Sequence, residues 1–208
     1  MAQVTEEHYN FNNYIELHRW VSYWHQLSAV LNTKAKSVLE IGCGTGIVSN
    51  CMRNNLGLNV KTFDFDPSLK PDVTGDVRNI SDYFESKSFD CICAFQVLEH
   101  VPYEDFENLL PQLAEIAGSH VLISLPYWGY PIQFKLNLLK TNWSWFFSRK
   151  ITRPHNWTFD GEHYWEIGTS QYPLRKVRKS IEKSLIITKE YFCPDYAYHY
   201  FFECATRS

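Results

Sequence analysis

The sequence predicts an α/β fold, a mostly parallel sheet covered by helices and closed by a hairpin. Three observations carry that prediction. Short apolar runs alternate with helical stretches from Lys36 onward, a glycine-rich turn follows the first run, and the last two runs are spaced to pair. The 208 residues suit a single domain, 1–208, with room for a full core and one sizeable insertion. Hydrophobic residues at 45% and charged residues at 21% exclude a disordered chain. A net charge of −3 gives nucleic-acid binding no whole-chain support.

Taken in order, SVLEI (37–41) reads as a buried strand running into the glycine turn. Ile47, Val48, Cys51 and Met52 then recur at helical spacing, and Gly57 stands where a C-terminal cap belongs. NVKTFDF (59–65) is a second strand. DPSLKP is too short and proline-rich for a good helix, and DVTGDV supplies a brief third strand. FDCICAF (89–95) is a buried fourth strand, with Cys91 and Cys93 on one face. A helix is predicted from Pro102, with Glu104, Asp105 and Glu107 suiting its positive end. Pro111 should break or kink it, at ~3 kcal/mol. SHVLISL (119–125) is the fifth strand, 172–183 a basic helix, and 184–192 with 198–205 the closing hairpin.

Two segments stand outside this alternation. Residues 9–31 form an aromatic-rich helical cover, in which Arg19 or a tyrosine can face a bound ligand; a plain amphipathic helix explains the same residues. Residues 126–171 form an insertion, or lid, that holds five of the seven Trp. Of the 34 aromatic residues, 13 fall within 127–172. Excursions from the carboxyl end of a parallel sheet commonly carry function. The six Cys form no C-x-x-C pair, the first ten residues are polar, and no run of 18 apolar residues occurs. Free thiols and a cytoplasmic location are expected.

The chemistry concentrates at E-I-G-C-G-T-G, Glu40 to Gly46. Glycines at 42, 44 and 46 let backbone approach a ligand without Cβ clashes. A dinucleotide site prefers a small residue at 47, where Ile47 stands. Asp64, at the end of the second strand, can accept both hydroxyls of a ribose, or serve as a turn residue before Asp66-Pro67. Asp76 can accept from an adenine amino group, or cap the turn before Arg78.

VLEIGCGTG (38–46), FDFDP (63–67), TGDV (74–77), FDCICAFQVLEHV (89–101) and HVLISLP (120–126) together resemble the class I S-adenosylmethionine-dependent methyltransferases, particularly the methyltransferase type 11 group. The resemblance implies a Rossmann-like sheet of seven mostly parallel strands with an antiparallel last strand and helices on both faces. It implies S-adenosylmethionine as cofactor. Glu40 and the backbone of Gly42, Cys43 and Gly44 would hold its methionine part, Asp64 the ribose, and Asp76 with Val77 the adenine. Gln96 would lie beside the sulfonium. The second crossover, 67–72, is shorter than the family's pattern.

Methyl transfer from a sulfonium is an in-line displacement, so the protein mainly aligns the partners, and positioning supplies roughly 7–11 kcal/mol in favourable cases. A base is needed only when the acceptor must lose a proton. No metal is required, and no His/Asp/Glu cluster in the sequence argues for one. Acceptor-side candidates are His100 in L-E-H-V, and His155 and His163 in RPHNWTFDGEHYWEIG (153–168), where Trp157, Asp160, Glu162, Trp165 and Glu166 also crowd. A folded lid with merely hydrogen-bonded histidines is the plainer alternative. Residues 135–153 carry five Lys/Arg and no acid around Trp143, Trp145, Phe146 and Phe147. A lid with a solvated basic face is the simpler account; contact with an anionic membrane or single-stranded nucleic acid is the other.

The expected activity is methyl transfer to a small or lipophilic acceptor. A non-catalytic S-adenosylmethionine-binding protein and an NAD-dependent oxidoreductase are the alternatives, Ile47 and the 89–101 match counting against the latter. The closing hairpin's edge offers a surface for self-association.

Overall fold

The computed structural model describes residues 16–137 and 144–207. Residues 9–15 of the expected N-terminal cover, and Trp143, lie outside the described residues. Among the described residues, nine strands and four α-helices follow in order. They are α1 (Leu17–Thr33), β1 (Ser37–Ile41), α2 (Ile47–Asn50), β2 (Asn59–Asp64), β3 (Val73–Thr74), β4 (Phe89–Phe95), α3 (Tyr103–Ile116) and β5 (Ala117–Pro126). After these come β6 (Tyr130–Asn137), β7 (Ser144–Ile151), α4 (Leu174–Ser184), β8 (Leu185–Phe192) and β9 (His199–Thr206). Beyond α2 the chain keeps turning through Cys51–Asn55 in wider turns, with the Leu56 N–H reaching the Cys51 carbonyl.

Seven strands form one sheet in the order β3-β2-β1-β4-β5-β9-β8, and β9 alone runs against its neighbours. Alternation along each buried strand feeds two cores. Leu39, Ile41, Ile92 and Ala94 face α3 and α4. Val38, Cys91 and Cys93 face α1 and α2. All six cysteines are free thiols. β1 and β4 sit side by side where the strand order reverses, and their carboxyl ends open a crevice there.

The structure differs from the sequence expectations at three places. Helix α3 runs unbroken through Pro111. Phe106, Leu109 and Leu110 before it, and Leu113 and Ile116 after it, are all buried in one core. Burying five such side chains, at about 1.5–3 kcal/mol each, outweighs the ~3 kcal/mol cost of proline. Pro111 itself is exposed, so the Glu107 carbonyl it deprives of a helical partner lies toward water. The third strand shrinks to two residues. The insertion holds regular structure, since β6 and β7 form a separate antiparallel pair. Trp165 from the same insertion is wholly buried in the α3–α4 core, its ring 4.8 Å from Phe106 and 4.9 Å from Tyr103. Part of the expected lid is therefore core.

Replacing Pro111 by Ala should restore the missing helical N–H and raise the unfolding free energy by about 2 kcal/mol, the proline cost less the entropy regained by the unfolded chain. Denaturant unfolding reads this directly; no gain would mean that the helix bends to avoid the cost.

Candidate cofactor and acceptor site

The carboxyl ends of β1, β2 and β4 open onto a cavity of about 390 Å³, within the size range of small-molecule sites. Gly42, Gly44, Asp64, Asp76, Val77, Gln96 and His100 all line it. Gly42 has φ +74°, and a Cβ there would fall 2.2 Å from Val97 Cγ2. Only glycine lets this turn pass beneath the strand β4 exit and present bare backbone.

Asp64 ends β2 with its side chain nearly buried. Its Oδ2 accepts from the Cys43 N–H at 3.0 Å and its Oδ1 from the Asp66 N–H at 3.0 Å. Burial raises its carboxyl above the usual range, while those backbone bonds pull the other way. A carboxylate has about four acceptor positions, so the two backbone bonds and the weak Cys43 thiol contact at 3.8 Å still leave capacity for a ligand hydroxyl. The Cys43 N–H is thereby committed to Asp64, and Cys43 does not line the cavity.

Glu40 sits behind the glycine turn, buried, with one oxygen, Oε2, lacking any hydrogen-bond partner. Burial pushes its carboxyl up to about 8, against the opposing pull of Ser49 and Arg53. A buried carboxyl with an unsatisfied oxygen is a ready acceptor for an amino group. Asp76 takes the capping part considered for it while standing at the cavity wall. It lines the cavity, and it also caps the following turn through the Arg78 N–H and pairs with the Arg78 guanidinium. Gln96, at φ +59°, holds the far wall, its backbone N–H on the Ser124 carbonyl and its side-chain amide on Ser124 Oγ. A non-glycine residue in that conformation stores of order 1–3 kcal/mol of strain and is common at binding sites. From α1, Tyr23 packs into the core that also holds Val48 of α2, so the N-terminal helix covers the helix behind the glycine turn.

The insertion returns to this cavity along residues 162–165. The His100 Nδ1–H donates to the Glu162 carbonyl at 3.0 Å, the Tyr164 N–H donates to the Glu99 carbonyl at 2.9 Å, and Trp165 Nε1–H donates to the Val101 carbonyl at 3.1 Å. His163 is thereby set beside His100, ring centroids 5.0 Å apart. His163 Nδ1 bonds Glu166 Oε1 at 2.9 Å, and Tyr198 donates to the same oxygen. Burial alone would lower His163, but Glu166, Glu99 and Asp160 outweigh it and raise its pKa. His155 stands elsewhere, stacked on Trp128 at 4.6 Å and absent from the cavity lining. Among described insertion residues, Tyr164 alone lines the cavity.

Glu99, Phe65, Arg78 and Tyr164 belong to this neighbourhood and were not singled out from sequence. Glu99 carried one signal, an acid flanked by Leu98 and, two residues on, Val101 in an apolar stretch. Nothing local could show that His163 would join it.

Comparison with known proteins agrees with this geometry. A family profile described as a methyltransferase domain matches residues 10–167. A mitochondrial ubiquinone biosynthesis O-methyltransferase of Candida albicans is 35% identical over 89 residues, covering 36% of this chain and only 27% of that protein. Among solved structures, a Pyrococcus horikoshii OT3 protein superposes with a TM-score of 0.62 at 13% identity, covering 96% of each chain. The magnesium protoporphyrin IX methyltransferase of Synechocystis PCC 6803, solved with bound S-adenosylhomocysteine, gives a TM-score of 0.60 at 16% identity, covering 100% of this chain and 90% of that one. These likenesses confirm the seven-stranded, mostly parallel sheet. Among the described residues no helix is long and apolar enough to cross a membrane. Since the family profile spans well over half of the residues, from before β1 to the return of the insertion, the chain belongs to the methyltransferase-domain family, in its class I architecture.

Proposed function

We propose that the protein transfers a methyl group from S-adenosylmethionine to a lipophilic acceptor. The observation that carries this reading is the pair of buried carboxyls, Glu40 and Asp64, flanking a glycine turn at the strand-order reversal. When bound, S-adenosylmethionine supplies a methyl group already activated by its sulfonium. Glu40 Oε2 takes the amino end, which it is otherwise left without. Gly42 and Gly44 offer backbone to the methionine chain, Asp64 accepts from the ribose hydroxyls, and Asp76 with Val77 edges the base. Gln96 fixes the wall near the reacting centre, and His100 with His163 meets the acceptor. His155 has no such position. Ile47, at the start of α2, keeps the turn from the pattern a nicotinamide dinucleotide prefers.

Calorimetric titration with S-adenosylhomocysteine should show one site per chain. Asp64→Ala should weaken it about tenfold or more, the loss of a charge-assisted hydrogen bond worth roughly 1.5–3 kcal/mol. No binding of either cofactor form contradicts the activity. Undiminished binding by the variant contradicts the ribose assignment, and binding without transfer to any acceptor favours the non-catalytic alternative.

The lipophilic acceptor is inferred from the β6–β7 hairpin. Its pairing puts Tyr130 opposite Ile151, Phe134 opposite Phe147 and Leu136 opposite Trp145 on one face, together with Ile132 and Arg149. All of these are exposed. On the other face Lys135 pairs with Asp195 at 2.6 Å and Lys150 donates to the Tyr127 carbonyl. An apolar patch that carries Arg149, in a stretch with no acid between 135 and 153, suits an anionic bilayer surface. Wild-type protein should float with vesicles containing phosphatidylglycerol and sink with neutral ones. Phe134→Glu/Phe147→Glu, retaining cofactor binding, should sink with both, and a wild type that never floats removes the membrane role.

A further inference from the structure

We propose that Glu99, His100 and His163 form a binding site for one divalent first-row transition-metal ion at the acceptor end of the cavity. One ligand atom from each of the three lies within 4.8 Å of the others. Ligands bound at about 2.0–2.2 Å around a common ion stand roughly 3–3.6 Å apart, so a modest side-chain adjustment closes the set.

Glu99 supplies the second, independent observation. It is completely buried, and neither of its carboxyl oxygens has a hydrogen-bond partner. Burying a carboxyl unsatisfied costs several kcal/mol, and native interiors rarely leave one so. A cation between Glu99 and the two imidazoles removes that cost.

The histidines are already oriented for ligation. A backbone carbonyl can only accept, so the Glu162 carbonyl requires the proton of His100 on Nδ1. Glu166 Oε1, itself held by the Tyr198 hydroxyl, does the same for His163. In His163 that leaves the lone pair on Nε2, the arrangement by which outer hydrogen bonds aim metal-binding histidines. The two ring centroids are 5.0 Å apart, and the ligand atoms of both lie within reach of Glu99. Two imidazoles and one carboxylate favour zinc, cobalt, manganese or iron over calcium or magnesium.

His100 and Tyr164 line the cofactor cavity, so the site's open side faces the place where the acceptor must enter. That suits an acceptor with a hydroxyl oxygen that can complete the coordination, and the two histidines then act as ligands and not as proton acceptors. This last step rests on the methyl-transfer reading; ion binding does not.

The test is titration of chelator-treated full-length protein with Co²⁺ and Zn²⁺, followed by visible absorption and calorimetry. The proposal expects one ion per chain and a Co²⁺ spectrum of low coordination number. Glu99→Gln and His163→Gln should each weaken binding by about a hundredfold, and Glu166→Gln by about tenfold. His155→Ala should bind as the wild type does. S-adenosylhomocysteine titration of each variant confirms that the cofactor half is folded. No ion bound by the wild type, or affinity unchanged in Glu99→Gln and His163→Gln, overturns the site. Cofactor binding without ion binding sinks this inference alone, whereas ion binding without cofactor binding sinks the methyl-transfer reading alone.

Discussion

The site depends on one buried carboxylate, Asp64, that ties two loops together. By accepting from the N–H groups of Cys43 and Asp66, it locks the turn after β1 to the turn after β2. Those turns flank the crevice at the edge of the parallel sheet, so fixing their spacing fixes the cavity. Gly42 makes the lock possible, because Val97 already occupies the volume a side chain would need. The glycines and the acid are one device: the first lets backbone come close, and the second holds it there.

A second constraint gathers the acceptor side. Trp165 buries its ring against Tyr103 and Phe106 while its indole N–H meets the Val101 carbonyl. The insertion is thus stapled to the segment that follows β4, and His163 arrives beside Glu99 and His100 as a consequence of core packing. The aromatic excess divides accordingly. Trp165 and Tyr172 stabilise the α3 layer, Trp128 and Trp157 enclose His155, and Tyr130, Phe134, Trp145 and Phe147 of the hairpin face outward. The same composition serves core, wall and surface.

How much was legible in the sequence follows from this physics. SVLEI and FDCICAF matched β1 and β4 residue for residue, because a strand buried on both faces is a short, mostly apolar run bounded by polar residues. The glycine turn, Asp64 and Asp76 were visible because their spacing is local to strand ends, whereas Gln96 came only from the family resemblance. Pro111 misled because a local propensity cost was weighed without the five core side chains that outweigh it. β6 and β7 were hidden, since a two-stranded pair with one exposed apolar face resembles neither a buried strand nor a solvated one. Glu99 and His163 were illegible as a pair: tertiary packing alone brings them together.

The central claim is that buried carboxyls at the glycine turn receive the cofactor, and Glu40 offers the most direct measurement of it. With its carboxyl raised to about 8, Glu40 is largely protonated in the free protein near pH 7. A cationic amino group placed against it favours the ionised form, so binding must expel a proton. Calorimetry of S-adenosylhomocysteine binding near pH 7, in buffers of different ionisation enthalpy, should show release of about one proton per ligand, lost in Glu40→Gln and fading as pH rises above about 9. Enthalpies independent of buffer, or equal release by Glu40→Gln, would contradict the account.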